Sequence, residues 1–135
     1  MACGFIMQAM DDLTLLAQVE ACALDPSLFN HAGHVRLALA CLHTASGDAD
    51  LAAARCCAAI ARYATHLDAA DKFHWTVTEA LVRLLAAGLH EEIARDARAC
   101  LARHYSAAAL AAPQARAHFV APDLLPLPGC AGALG

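Results

Sequence analysis

No segment of this 135-residue chain alternates apolar and polar positions with β-branched enrichment, so nothing in it reads as a half-buried strand. Its apolar residues recur at helical spacing instead. Hydrophobic residues make up 60% of the chain, and much of that is alanine, the strongest helix former, whose small side chain lets helices approach closely. The five prolines and seven glycines fall between the helical stretches and in the C-terminal tail. The length suits one domain, which buries roughly 68% of the surface its unfolded chain exposes and so holds a real core without staples. The fold class that follows is all-α, a compact up-down bundle of about five helices with a short C-terminal helix over 1–119, then an extended Pro/Gly-rich tail over 120–135.

Capping residues place the helices. Asp11 or Asp12 opens the first, which runs to about Leu24 and stops at Asp25-Pro26. Asn30 caps the second, reaching about Thr44, and Ser46-Gly47-Asp48 ends it and caps a third over 49–67. A polar link over 68–72, with Asp71 read as a cap, leads to a fourth over 73–87 with Gly88 as its C′ glycine. A fifth covers 91–105, and Pro113 suits the first turn of a short helix over 113–119. The links are short, which favours antiparallel neighbours.

The net charge of −4, the absence of a basic run and the single tryptophan argue against a nucleic-acid surface. Residues 1–10 carry no positive charge and no long apolar stretch, and no run long enough to span a bilayer occurs; neither a signal peptide nor a membrane partner is expected. The seven cysteines show no CxxC spacing, which fits small core residues in a reducing, cytoplasmic setting. HExxH, P-loop, Rossmann and GxSxG patterns are missing, and Glu79 lies about 140° from His74 round its helix, unlike the inward Glu-x-x-His pairs of di-iron bundles.

The eight histidines carry the functional argument. Positions i, i+4, i+7 and i+11 share one helical face. His31, Val35, Ala38 and Leu42 form such a line, as do His74, Thr78, Leu81 and Leu85, and Ile93, Ala97, Cys100 and His104. In the third helix Cys56, Ile60, Tyr63 and Leu67 align. With alternating helix directions, His31, His34, His74 and His104 meet at one bundle end, beside Tyr63, Thr78 and Tyr105. His43, His66, His90 and His118 fall on polar sides, and Arg36 points to the surface.

Several imidazoles facing a core end need partners. They can hydrogen-bond within a polar core end. They can also bind a divalent transition metal such as Zn or Fe, with His31, His34 and His74 as ligands, His104 or water completing the shell and Tyr63 or Thr78 positioning substrate. Or they can serve a metal-free pocket in which His74 or His31 is a general base, Lys72 holds an anionic substrate and Thr78 orients the imidazole. A Cys41 or Cys100 nucleophile has no local signature. The segment Phe29, His31, His34, Arg36, Leu37, Ala38, followed by Lys72, Phe73, His74, Thr76 and Thr78, resembles small all-helical bacterial proteins of unassigned activity that carry F-x-H-x-x-H-x-R-L-A and K-[FY]-H-x-T-x-T. The resemblance, with a weaker echo over 115–123, implies only that these segments matter.

The function expected is a small helical protein with a histidine-lined pocket, foremost a metal-binding protein or small metal-dependent enzyme. A metal-free acid/base enzyme or ligand-binding protein is the first alternative. A helical protein–protein interaction module without catalysis is the second, drawing on alanine-rich faces and an apolar tail that could dock on a partner or on a second copy in a homo-oligomer.

Overall fold

The computed structural model describes residues 11–128, and these form an all-α fold with no strand among them. Helix α1 (Asp12–Glu20) leads through a 3-10 turn (Pro26–Leu28) to α2 (His31–Thr44). Then come α3 (Ala49–His66), a second 3-10 turn (Ala70–Lys72) and α4 (Trp75–Ala86). Helix α5 (His90–Ala102) and two short helices, α6 (Ala107–Ala111) and α7 (Pro113–Ala117), complete the order.

Side-chain caps set most of the starts. Asp11 Oδ1 accepts from the Thr14 amide at 2.7 Å, Asn30 Oδ1 from Gly33 at 2.9 Å and Asp48 Oδ1 from Asp50 at 3.0 Å. Each such cap contributes about 1 kcal/mol. The ends differ from the sequence expectation where the backbone turns. Helix α1 stops at Glu20 rather than near Leu24, because Cys22 adopts a left-handed conformation (φ 56°) and the Ala23 amide turns back to the Gln18 carbonyl at 2.8 Å. Helix α5 stops at Ala102 rather than Tyr105, and Ser106 then caps α6, a helix the alanine run hid from sequence reading. Asp96 bends α5 by leaving the helical backbone and accepting from the Ala99 amide at 3.0 Å.

The core is organised round α3, which packs against α1, α2 and α4. Its inward face is mostly small: Ala52, Ala53, Cys56 and Ala59 are all buried. That row lets α2 and α4 close in, and α2 also touches α4 directly. On its far side α4 packs against α5 and α7.

The stretch 118–128 returns across the bundle. Thr76 Oγ1 donates to the His118 carbonyl at 3.0 Å and accepts from the Val120 amide at 3.1 Å. Tyr105 donates its hydroxyl to the Val120 carbonyl at 2.7 Å. Leu127 is sunk in the core at 1% exposure, while Leu124 and Leu125 face outward. The described part of the apolar tail therefore lies over its own helices. Residues 129–135, which end the tail, and 1–10 fall outside the described residues. No helix among the described residues is long and apolar enough to cross a membrane.

Candidate functional site

Helices α2, α3 and α4 do not close completely on one another. They leave a cavity of about 160 Å³. Its walls are the stripes read from the sequence: His31, Val35 and Ala38 from α2, Cys56 and Ile60 from α3, and Thr78, Leu81 and Leu85 from α4. His34, Lys72, Phe73, His74 and Val77 complete the lining. The polar groups come from the first turns of α2 and α4 and the link before α4, and the apolar ones from deeper along the helices. The cavity is thus amphipathic from one end to the other.

The local chain explains the rim. Gly33 sits in the first turn of α2 against the 3-10 turn, and a Cβ there would lie 2.9 Å from the Leu28 carbonyl oxygen. Only glycine permits that approach without displacement of backbone. The approach brings Phe29 beside His34, and the two rings stack with centroids 4.0 Å apart at an interplanar angle of 16°. Packing round the ring, and then the nearby His31, hold the His34 pKa below the ordinary imidazole value of 6.5. The ring nitrogens of His31 and His34 have no hydrogen-bond partner among the described residues, and neither has the Thr78 hydroxyl. Lys72 is exposed, with no carboxylate paired to it among the described residues.

His74 is different. It caps α4, correcting the reading of Asp71 as the cap and of His74 as a residue within the helix. Its Nδ1 accepts from the Val77 amide at 3.2 Å, and its Nε2 lies 2.8 Å from the Leu110 carbonyl of α6. A carbonyl only accepts, so Nε2 carries the proton and both nitrogens are committed within the chain. As it stands, the ring offers no lone pair to a metal or a substrate proton.

Two expected members of the cluster lie elsewhere. His104 does not line the cavity; it is buried at 8% exposure, and its Nδ1 donates to the Leu125 carbonyl at 3.0 Å. It follows the end of α5, so the face on which the sequence placed it does not extend that far. Tyr63 does share the buried stripe of α3, but its hydroxyl donates to the Leu24 carbonyl at 2.8 Å and its ring meets Phe29 edge-on at 5.2 Å. It supports the wall without lining it. Tyr105 is likewise engaged, with Val120. Among the described residues no group of three or more His, Cys, Asp or Glu side chains is placed to hold a metal ion.

At the cavity floor Cys56 shares a hydrogen bond with Cys41 of α2; this contact and burial push the Cys56 thiol well above its ordinary range. It remains a protonated thiol at neutral pH, a poor nucleophile. Cys100 is buried away from the cavity. His43, His66, His90 and His118 are all exposed, and Arg36 forms a surface pair with Asp12 at 2.9 Å.

Sequence reasoning missed a second polar assembly on α4. Trp75 Nε1 donates to Glu79 Oε1 at 3.0 Å, and Arg83 Nη2 donates to Glu79 Oε2 at 2.8 Å and to Asp50 Oδ1 of α3 at 2.8 Å. The Arg83 guanidinium lies over the Phe119 ring, 5.6 Å from its centroid. The i, i+4 spacing of Glu79 and Arg83 was the available signal. No protein-family model, curated protein or solved structure matches this chain.

Proposed function

We propose that the cavity between α2, α3 and α4 binds a small organic molecule, and that His31 and His34 are the groups that act on it, as hydrogen-bond partners or as an acid and base. One observation carries the reading. Three apolar helix faces converge on an open volume, and the imidazoles at its rim whose ring nitrogens bond to nothing else among the described residues are His31 and His34. Both residues are exposed at the mouth of this apolar volume, so a molecule seated in the cavity can reach those nitrogens. A neutral His34 suits a base, because a ring held below its ordinary pKa keeps its lone pair at neutral pH. Thr78 gives a third polar contact, and Lys72 adds charge at the mouth. Whether a reaction follows binding decides between an enzyme and a carrier, and His34→Ala separates them once a ligand is in hand.

The metal-dependent form of this reading rests on His31 and His34, whose i, i+3 spacing suits a shared ion. With His74 committed and His104 elsewhere, these two imidazoles do not make a closed site, and water or the ligand would have to supply the remaining donors. Elemental analysis of untagged protein, beside the His31→Ala variant, addresses it directly.

The binding reading is tested by amide NMR against a panel of small acids, amines, alcohols and sugars. A ligand should shift the resonances of His31, Val35, Thr78 and Leu81 together. Ala38→Leu, which fills the cavity from α2, should keep the fold and lose the shifts. A panel in which no compound moves those residues, or moves them equally in Ala38→Leu, would overturn the proposal.

A further inference from the structure

The volume and the charge of this cavity narrow its ligand to a chemical class. This step rests on the binding reading above. A cavity of about 160 Å³ with aliphatic walls is close to the ~150 Å³ apolar cavity known to accept a single benzene ring. The body of the ligand is therefore about the size of one six-carbon ring, too small for a nucleotide or a sugar chain. The walls below the rim offer it Val35, Ala38, Ile60, Leu81 and Leu85, so that body is apolar.

The rim is a different environment. Lys72 is a cation with no carboxylate paired to it among the described residues. His31 and His34 present ring nitrogens without partners, and no Asp or Glu lines the cavity. Every charged or titratable group at this rim is therefore a donor or a potential cation, in a chain whose net charge is −4. A single lysine matches one negative charge. A phosphate dianion is normally held by more: several amides at a helix N-terminus, or an arginine fork. Here the first turn of α2 is already capped by Asn30, and that of α4 by His74.

We infer that the cavity takes a small monocarboxylic acid with a compact apolar body of benzoate size, its ring or short chain between α2, α3 and α4 and its carboxylate at Lys72, His31 and His34. Charge-assisted hydrogen bonds to the carboxylate supply orientation, and burial of the apolar body supplies most of the affinity.

Calorimetric titration at neutral pH tests this with benzoate, the neutral isostere benzyl alcohol and inorganic phosphate. Benzoate should bind, benzyl alcohol should bind about tenfold more weakly, and phosphate should not bind. Lys72→Met should weaken benzoate by about tenfold and leave benzyl alcohol unchanged, with Lys72→Arg recovering most of the loss. Lys72 is exposed, and equal thermal midpoints for both variants would establish that the fold is intact. Equal affinity for benzoate and benzyl alcohol, or benzoate binding untouched by Lys72→Met, would overturn the carboxylate assignment and leave the binding reading standing. Failure of both aromatic compounds to bind would overturn this inference. Failure of the whole small-molecule panel would remove the binding reading beneath it.

Discussion

Helix α4 carries two polar sites on opposite faces, and they are built on opposite rules. On one face Trp75, Glu79, Arg83 and Asp50 satisfy one another, and Thr76 clasps the returning chain with both its donor and its acceptor. On the other, Thr78 looks into an open cavity beside His31 and His34, which have nothing of the chain's own to bond. A closed network removes groups from chemistry, and an open rim keeps them for it. His74 shows that residue type alone does not decide. It lines the same cavity as His31 and His34, yet both its nitrogens are spent on the fold, Nδ1 capping α4 and Nε2 tying it to α6.

Substitutions should separate the two faces by size of effect. Glu79→Ala leaves Arg83 buried with only the exposed Asp50 as an ion-pair partner among the described residues, and should cost about 3 kcal/mol in urea unfolding without preventing ligand binding in the folded fraction. Gly33→Ala forces a Cβ against the Leu28 carbonyl and the Phe29 ring, at a cost of about 1–3 kcal/mol. Because it also shifts the Phe29–His34 stack, it should change the cavity face too, visible as displaced His34 resonances.

His74 gives a finer cut. His74→Ala removes the cap and should cost about 1 kcal/mol; His74→Asn keeps an acceptor for the Val77 amide and should recover most of it. If His74 is structural, His74→Asn binds ligand like the wild type. A variant that is stable but no longer binds would return His74 to the ligand-contacting set.

The smallest effect is a slope. The folded state holds His34 below its ordinary pKa of 6.5, first by desolvation and then by the charge of His31. The unfolded chain therefore binds the proton first as pH falls, and stability declines from above pH 6.5 down through the folded value. His34→Phe keeps the stack and removes the proton, so the difference in unfolding midpoint between variant and wild type should widen in the variant's favour between pH 7.5 and pH 5. A constant difference would mean that the ring titrates alike in both states.

The all-α class, the Asn30 and Asp48 caps and Gly88 as the C′ residue of α4 (φ 90°) were all readable from the chain. So were the cavity walls, since the stripes of α2, α3 and α4 follow from the 3.6-residue repeat alone. What the repeat cannot convey is which polar atoms are already taken. That His74 meets Leu110, or His104 meets Leu125, depends on segments 36 and 21 residues away in a part of the fold without periodic signal. Helix ends were the other blind spot, because Cys22 in a left-handed turn and Ser106 opening an alanine run are weak marks beside Gly88 or Asp48.

Every side chain that lines the cavity lies between His31 and Leu85, in three consecutive helices and the link before the third. Such a unit has low contact order, and during synthesis its walls leave the ribosome before α6 and the returning stretch exist. The bond from His74 to Leu110 is then among the last to form. The pocket's shape is settled early by neighbours in sequence, and its rim is locked late by a residue made well after them.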